Sequence, residues 1–255
     1  MNLKLALVCV LALLAAMAIS FPAVADTQMT CPPPGPGTTN ADLELTGACT
    51  ISNGRVVNGN IRITNGTLLV NTGGRVNGNV LQIGTGAVNV GMFMPASSGT
   101  IDGNVTEQGD GGVGVNDPGA FVDGDITEEG VGSVGVNGRV NGDIEESGVG
   151  SPGNLNIDAL GIVNGDVTER DTDGMIRVAG MVNGDVTEEG PGNLGGPPLG
   201  PLEISGTVNG NVTERNDGNL HVGPSARING NVRQEDAGTC LVLSTQVNGN
   251  REGGC

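Results

Sequence analysis

A five-residue pattern of apolar and polar positions recurs along the chain: Val or Ile, Asn or Asp, Gly, Asn or Asp, and Val or Ile. Ten copies occur, the last ending in Arg251, and their central glycines fall at 59, 78, 103, 124, 142, 165, 184, 210, 230 and 249. The nine steps cover 249 − 59 = 190 residues, so the mean period is about 21 residues. Self-similarity at this period indicates a repeat architecture, because one short unit cannot bury its apolar face alone.

Each copy alternates apolar and polar residues, which predicts a pleated strand. In one copy Val163 and Val167 face the interior, with the intervening glycine also turned inward. Asn164, Asp166 and Thr168 are then expected on one flat, solvent-exposed face. The same register predicts that equivalent polar residues of successive copies lie above one another as ladders.

A second, weaker strand precedes the motif in several repeats, as at residues 68–70, 155–157, 175–178 and 220–222. Gly, Asn, Pro and Asp cluster between strands, as corners require. We therefore predict an all-β protein, a single-stranded parallel β-helix (β-solenoid) of about ten rungs over residues 53–250. Sandwiches and barrels share the strand density but do not predict near-identical strands at this period. Coil lengths from 18 to 26 residues favour a right-handed helix.

The first 25 residues are typical of a secretory signal peptide. Lys4 precedes an apolar run over residues 5–19, and Ala23-Val24-Ala25 forms a small-x-small cleavage site. The run has 15 residues, fewer than the roughly 20 that span a bilayer. We predict an exported protein (extracellular, cell-surface or periplasmic) with no integral membrane segment after cleavage.

Four cysteines remain after residue 25, and they lie near the two ends: Cys31, Cys49, Cys240 and Cys255. Four cysteines allow three pairings, and the two ends are separated by about ten rungs. We expect local disulfides Cys31–Cys49 and Cys240–Cys255, with free or intermolecular thiols as the alternative. Residues 26–52 would then form a Pro/Gly-rich leader and N-terminal cap, and residues 240–255 a C-terminal cap.

The mature chain has a formal charge of 10 − 28 = −18, which argues against nucleic acid as a partner. Residues 102–190 contain 19 acidic residues and three arginines. A column of four aspartates after the glycine offers candidate Ca²⁺ ligands, since Ca²⁺ prefers oxygen donors: Asp125, Asp143, Asp166 and Asp185. The alternative is a solvated face without metal. A threonine column and a neighbouring glutamate column are expected on the same surface, the glutamates being Glu107, Glu128, Glu146, Glu169, Glu188 and Glu214.

The rung motif resembles that of bactofilins, which are polymer-forming β-helical cytoskeletal proteins. The likeness is visible at residues 140–144, 163–167 and 228–232, and it extends over most of residues 57–250. It implies a β-helix that assembles end to end without nucleotide. Bactofilins are cytosolic, however, whereas haemagglutinin-like adhesins are exported β-helices with repeats of similar length. No functional residue carries over from either family.

Enzyme chemistry is not indicated by the sequence. Acidic pairs follow the repeat, aromatic platforms for sugars are absent, and His221 is the sole histidine. We expect an exported structural or surface β-solenoid that is adhesin-like, matrix-forming or filament-forming, through self-assembly or a cell-surface or matrix partner. The alternative is a ladder surface that binds Ca²⁺, ice or polysaccharide, followed by a polysaccharide-active β-helix enzyme.

Overall fold

A computed structural model describes residues 31–33, 35–92, 98–148, 153–170, 174–190, 202–215, 218–235 and 238–255. The expected signal peptide at residues 1–25 lies outside these ranges. The regular secondary structure within these ranges consists entirely of β-strands. The described residues accordingly contain no helix with the length and apolarity that a bilayer crossing needs.

The strands form three parallel sheets, to each of which ten successive coils contribute one strand, and β31 Arg251–Gly253 extends the second sheet by one more strand. Sheet A contains β1 Gly37–Thr39, β4 Arg55–Val57, β7 Arg75–Val76, β10 Thr100–Ile101, β13 Phe121–Val122, β16 Arg139–Val140, β19 Ile162–Val163, β22 Met181–Val182, β25 Thr207–Val208 and β28 Arg227–Ile228. Sheet B contains β2 Leu43–Thr46, β5 Ile61–Thr64, β8 Val80–Gly84, β11 Val105–Gly109, β14 Ile126–Glu128, β17 Ile144–Glu146, β20 Val167–Glu169, β23 Val186–Glu188, β26 Val212–Glu214, β29 Val232–Gln234 and β31 Arg251–Gly253. Sheet C contains β3 Cys49–Ile51, β6 Leu68–Val70, β9 Val88–Val90, β12 Val113–Val115, β15 Val134–Val136, β18 Asn154–Ile157, β21 Met175–Val178, β24 Leu202–Ile204, β27 Leu220–Val222 and β30 Cys240–Val242.

The predicted all-β parallel solenoid is confirmed, with about ten coils. The stack begins at Gly37, ahead of the expected start at residue 53, because β1 pairs with β4 although the first coil lacks the full motif. Each coil also has three strands where the sequence indicated two. The strands of sheet A were not recognised in the sequence because most of them have two residues, which are too few to show an alternation of apolar and polar positions.

The pentapeptide forms a corner between two sheets, so its interpretation as one pleated strand is wrong. Val163 ends β19 and Val167 begins β20, and both are fully buried as predicted. Asn164 and Asp166 lie at the bend between them, whereas Thr168 lies on sheet B, so the three do not share one flat face. Asp166 is exposed, and the other two are half-buried.

The glycine of the motif is required by the close approach of successive coils. A Cβ atom added to Gly165 would lie 2.5 Å from the carbonyl oxygen of Gly142 in the preceding coil. The residue before the glycine forms an amide ladder along the stack. Its Nδ2 donates to the side-chain oxygen of the preceding coil at 2.6–2.7 Å, as from Asn164 to Asn141 and from Asn183 to Asn164.

The interior is filled by Val, Ile and Leu side chains of all three sheets. Phe121 lies on the outer surface of sheet A, with the Arg139 guanidinium 6.0 Å from its ring centre. Disulfides join Cys31 to Cys49 and Cys240 to Cys255, which is the predicted pairing. Cys49 and Cys240 occupy the two ends of a single inward-facing column of sheet C.

Candidate functional site

The four aspartates Asp125, Asp143, Asp166 and Asp185 form a column at the corner between sheets A and B. Each accepts a backbone hydrogen bond from the next coil. The backbone N–H of Asp143 donates to Asp125 Oδ1 at 2.9 Å, and that of Asp166 donates to Asp143 Oδ1 at 2.8 Å. Asp185 continues the pattern with Asp166 at 2.8 Å and receives the N–H of Asn211 at 2.7 Å. Each carboxylate therefore accepts a backbone N–H of the next coil at Oδ1, and Asp185 also accepts the Asn211 side-chain amide at Oδ2, at 3.4 Å.

Asparagine performs the same task in the outer coils. The N–H of Asp125 donates to Asn104 Oδ1 at 3.0 Å, and the N–H of Asn231 donates to Asn211 Oδ1 at 2.9 Å. The stack therefore needs an oxygen acceptor at this position but not a charge. In the part of the chain that the structure describes, no three His, Cys, Asp or Glu side chains converge as metal ligands. Calcium binding by the four aspartates stays a prediction.

The glutamates predicted on the surface are inside the solenoid. All six are fully buried at 0% exposure: Glu107, Glu128, Glu146, Glu169, Glu188 and Glu214. They occupy equivalent positions in six successive strands of sheet B. We call these six residues the glutamate column. The prediction that these glutamates lie on the surface was wrong because it relied on the charge of Glu and not on its position in the strand.

Alternation along sheet B explains why these side chains point inward. Val167 faces the core, so Glu169, two residues later, must face it too, while Thr168 faces solvent. The same position holds Leu45 and Ile63 in the first two coils and Gln82 in the third. Gln234 and Gly253 follow the last glutamate. Along sheet B this inward position therefore changes from aliphatic residues to Gln, then to the six glutamates, and then to Gln and Gly.

Glycines at the corner between sheets B and C leave room for the carboxyl groups. A Cβ atom added to Gly153 would lie 2.7 Å from Cδ of Glu146, and one added to Gly174 would lie 2.6 Å from Cδ of Glu169. Two glycine N–H groups also donate to the column: that of Gly132 to Glu128 Oε1 at 3.1 Å, and that of Gly111 to Glu107 Oε1 at 3.3 Å.

The carboxyl groups of neighbouring coils interact with one another along the stack. Glu146 interacts with Glu128 and Glu169, the neighbours in the coils before and after it. Glu188 interacts with Glu169 and Glu214 in the same way. No N–H or hydroxyl group of the described residues donates to either carboxyl oxygen of Glu146 or Glu188. Two adjacent carboxyl groups can hydrogen-bond to each other only when one of them holds a proton.

Burial and neighbouring carboxyls raise the pKa of three members of the column, Glu107, Glu146 and Glu188. Burial, followed by the hydrogen bond and charge of Glu128, raises the pKa of Glu107 to about 8. Burial and the carboxyls of Glu128 and Glu169 raise the pKa of Glu146 to about 10. Burial and the carboxyls of Glu169 and Glu214 likewise raise the pKa of Glu188 to about 10. The charged form is disfavoured because it is desolvated without a counter-ion.

Charges on the outer face of sheet B are paired, in contrast to those of the interior. The Arg170 guanidinium contacts Glu145 and, at 2.8 Å, Glu189. Arg215 contacts Glu189 and, at 3.6 Å, Glu235. These arginine side chains are about half exposed, and exposed ion pairs of this kind contribute about 0–1 kcal/mol each. The outer charges therefore add little to the stability of the stack.

No known family model, curated protein or solved structure matches the chain.

Proposed function

We propose that this protein is an exported structural β-solenoid, a rod presented at the cell surface or in an extracellular matrix. The proposal rests on the observation that the repeated polar residues form hydrogen bonds between successive coils. The Asn ladder bonds coil to coil, as from Asn209 to Asn183 at 2.6 Å, and the Asp column accepts backbone N–H groups. The sequence repeat is therefore accounted for by building a long, regular rod.

The ends favour a discrete rod over an end-to-end filament. Open strand edges promote pairing with other chains. Here the Cys31–Cys49 disulfide holds residues 31–33 beside β3, and Thr50 N–H donates to Cys31 Sγ at 3.2 Å. At the other end Cys255 is tied to β30 through Cys240. The two disulfides also suit the oxidising compartment that an exported protein enters.

Export and the rod shape are tested separately. N-terminal sequencing of the secreted protein should give Asp26 as its first residue, and retention of the full-length chain in cells would contradict export. Purified oxidised protein should appear in electron micrographs as particles roughly 48 Å long, from the ten steps of about 4.8 Å between the eleven strands of sheet B. Sedimentation should show one discrete species. Filaments under oxidising conditions would contradict the discrete rod and support bactofilin-like assembly instead.

A second candidate function is calcium binding at the acidic corner. It is favoured by the position of the four aspartates in successive coils, about 4.8 Å apart, with only Oδ1 of each engaged by the next coil's backbone N–H. Calcium bridging adjacent carboxylates would replace repulsion by attraction and stabilise the folded state. The test of this function is a comparison of thermal melting in Ca²⁺ and in NaCl of equal ionic strength.

A further inference from the structure

The glutamate column has no positive charge to balance it inside the solenoid. The inward positions of sheet A opposite the column are Val or Ile in every coil from Val57 to Ile228. Those of sheet C are Val, Ile and Leu, with Cys49 and Cys240 at the ends. Among the described residues the arginines and His221 lie outside the core. The other carboxyl that acts on the column is Asp110, which faces Glu107 and is also acidic.

Ionisation of the whole column would place adjacent negative charges in an apolar interior, where the described residues supply no positive charge. Burying an unpaired charge costs far more than burying a neutral group that is hydrogen-bonded. A protonated carboxyl, in contrast, has one O–H donor for the next coil and a carbonyl acceptor for the previous one. Stacked carboxylic acids can therefore hydrogen-bond to one another only while they remain protonated.

The residues at the ends of the column are neutral equivalents of glutamate. Gln82 Nε2 donates to Gly84 O at 3.3 Å, and Gln234 Nε2 donates to Gly218 O at 3.3 Å. Oε1 of each glutamine is buried and receives no N–H or hydroxyl donor from the described residues. Glu107 and Glu214 are the adjacent members in register. The amide oxygens of the two glutamines are thus available to accept hydrogen bonds from protonated glutamates at the two ends of the column.

We propose that the glutamate column makes the folded state dependent on bound protons: protonation holds the central coils together, and ionisation at alkaline pH unfolds them. The unfolded chain releases these protons near the ordinary glutamate pKa of about 4.3. The folded chain retains them to higher pH, so unfolding releases protons and a rise in pH favours the unfolded state. The stabilisation is complete below about pH 4.3 and is lost as pH rises through the folded-state pKa values of about 8 for Glu107 and about 10 for Glu146 and Glu188.

This pH dependence has the opposite sign to that of a fold held together by carboxylate–arginine pairs. A carboxylate paired with Arg has a lowered pKa, and the fold that contains it loses stability as pH falls. The buried column instead predicts a rod that withstands acid and opens in alkali.

The test is a urea titration of the mature, oxidised protein at several values between about pH 5 and about pH 9. We expect the folded-to-unfolded ratio to fall with rising pH, by up to about tenfold per pH unit for each acid that stays protonated. The matched variants are Glu146→Gln, inside the core, and Glu145→Gln, its outward neighbour on β17. Glu146→Gln should reduce the pH slope by one proton, whereas Glu145→Gln should leave it unchanged.

Infrared spectroscopy tests the protonation state without a variant. The folded protein at neutral pH should show the C=O stretch of protonated carboxylic acids, and this band should disappear in urea. Proton release on unfolding at neutral pH, measured by the pH change of an unbuffered solution, should approach three per chain, one each from Glu107, Glu146 and Glu188, whose pKa values are raised in the folded state. A stability that is flat or rises between about pH 5 and about pH 9, or a folded protein with only carboxylate bands, would overturn the proposal.

Discussion

Replacing Val167 by Asp would place a carboxyl group in the core without a partner. Val167 is fully buried at the start of β20, and it stacks between Ile144 and Val186 in the neighbouring coils. Glu169, two residues away, has the same orientation but stacks between Glu146 and Glu188. The substitution therefore separates two effects that the native column combines, burial of a carboxyl and provision of a hydrogen-bond partner.

The expected cost has two parts. Removing the buried Val side chain forfeits about 1.5–3 kcal/mol of transfer free energy. Burying a neutral carboxyl group without a partner adds about 1–3 kcal/mol. The sum of about 2.5–6 kcal/mol is a large part of the roughly 5–15 kcal/mol that stabilises a typical protein. For a chain of this size it corresponds to a fall in Tm of about 5–24 °C.

Circular dichroism during heating at about pH 5 measures the effect while the carboxyl can still be protonated. Thr168→Asp is the control, because Thr168 faces outward beside Glu145 and Thr187. Its cost should not exceed about 1 kcal/mol, the scale of a like-charge pair across strands. Equal melting curves for Val167→Asp and the wild type would refute the register of sheet B, and with it the inward position of Glu169.

Three further outcomes follow from contacts within the stack. Gly165→Ala should destabilise the fold by about 1–3 kcal/mol in urea, because the new Cβ atom would lie 2.5 Å from the Gly142 carbonyl oxygen; Gly135→Ala, which meets nothing within 4 Å, should be neutral or better. Paired Cys→Ser substitution at either disulfide should cost about 3 kcal/mol and accelerate amide exchange in the adjacent end coil only; free thiols in the native wild type would be the wrong result. Replacing the four corner aspartates by Asn should preserve the fold, as Asn104 and Asn211 indicate, and abolish any rise in Tm that Ca²⁺ produces beyond matched NaCl; a response that persists in this variant would exclude these residues as the calcium ligands.

The stacked architecture could be predicted from the sequence because identical positions lie above one another. Val163 and Val167 were placed inside correctly, since aliphatic residues repeated at one period have no other place to be buried. The disulfides were also predictable, because a rod of ten coils separates cysteines that are far apart in sequence. Both inferences depend on the repeat alone and not on the detailed geometry of a coil.

The corner and the glutamate column could not be predicted in the same way. Asn-Gly-Asp is compatible with a pleated strand in sequence, and the bend is visible only in the structure, where Val163 belongs to sheet A and Val167 to sheet B. Glu169 was assigned to the surface because an ionised carboxylate rarely lies in a core. The signal that could have placed it inside was its spacing of two residues from Val167. Alternation prevailed over charge because Val167 and its equivalents fix the inward face of sheet B, and Glu169 lies on that face.

The positions of the disulfides have a mechanical consequence. A pull applied at Cys31 and Cys255 reaches Cys49 directly through the first disulfide and Cys240 directly through the second. The 17 residues between Cys31 and Cys49 and the 14 between Cys240 and Cys255 carry no load. Tension therefore enters the rod at the two ends of one column of sheet C, and only the 240 − 49 = 191 residues between them can be drawn out. As a tether, the oxidised protein would have a maximum extension of roughly 65 nm, from about 3.4 Å per residue, and reduction would lengthen it.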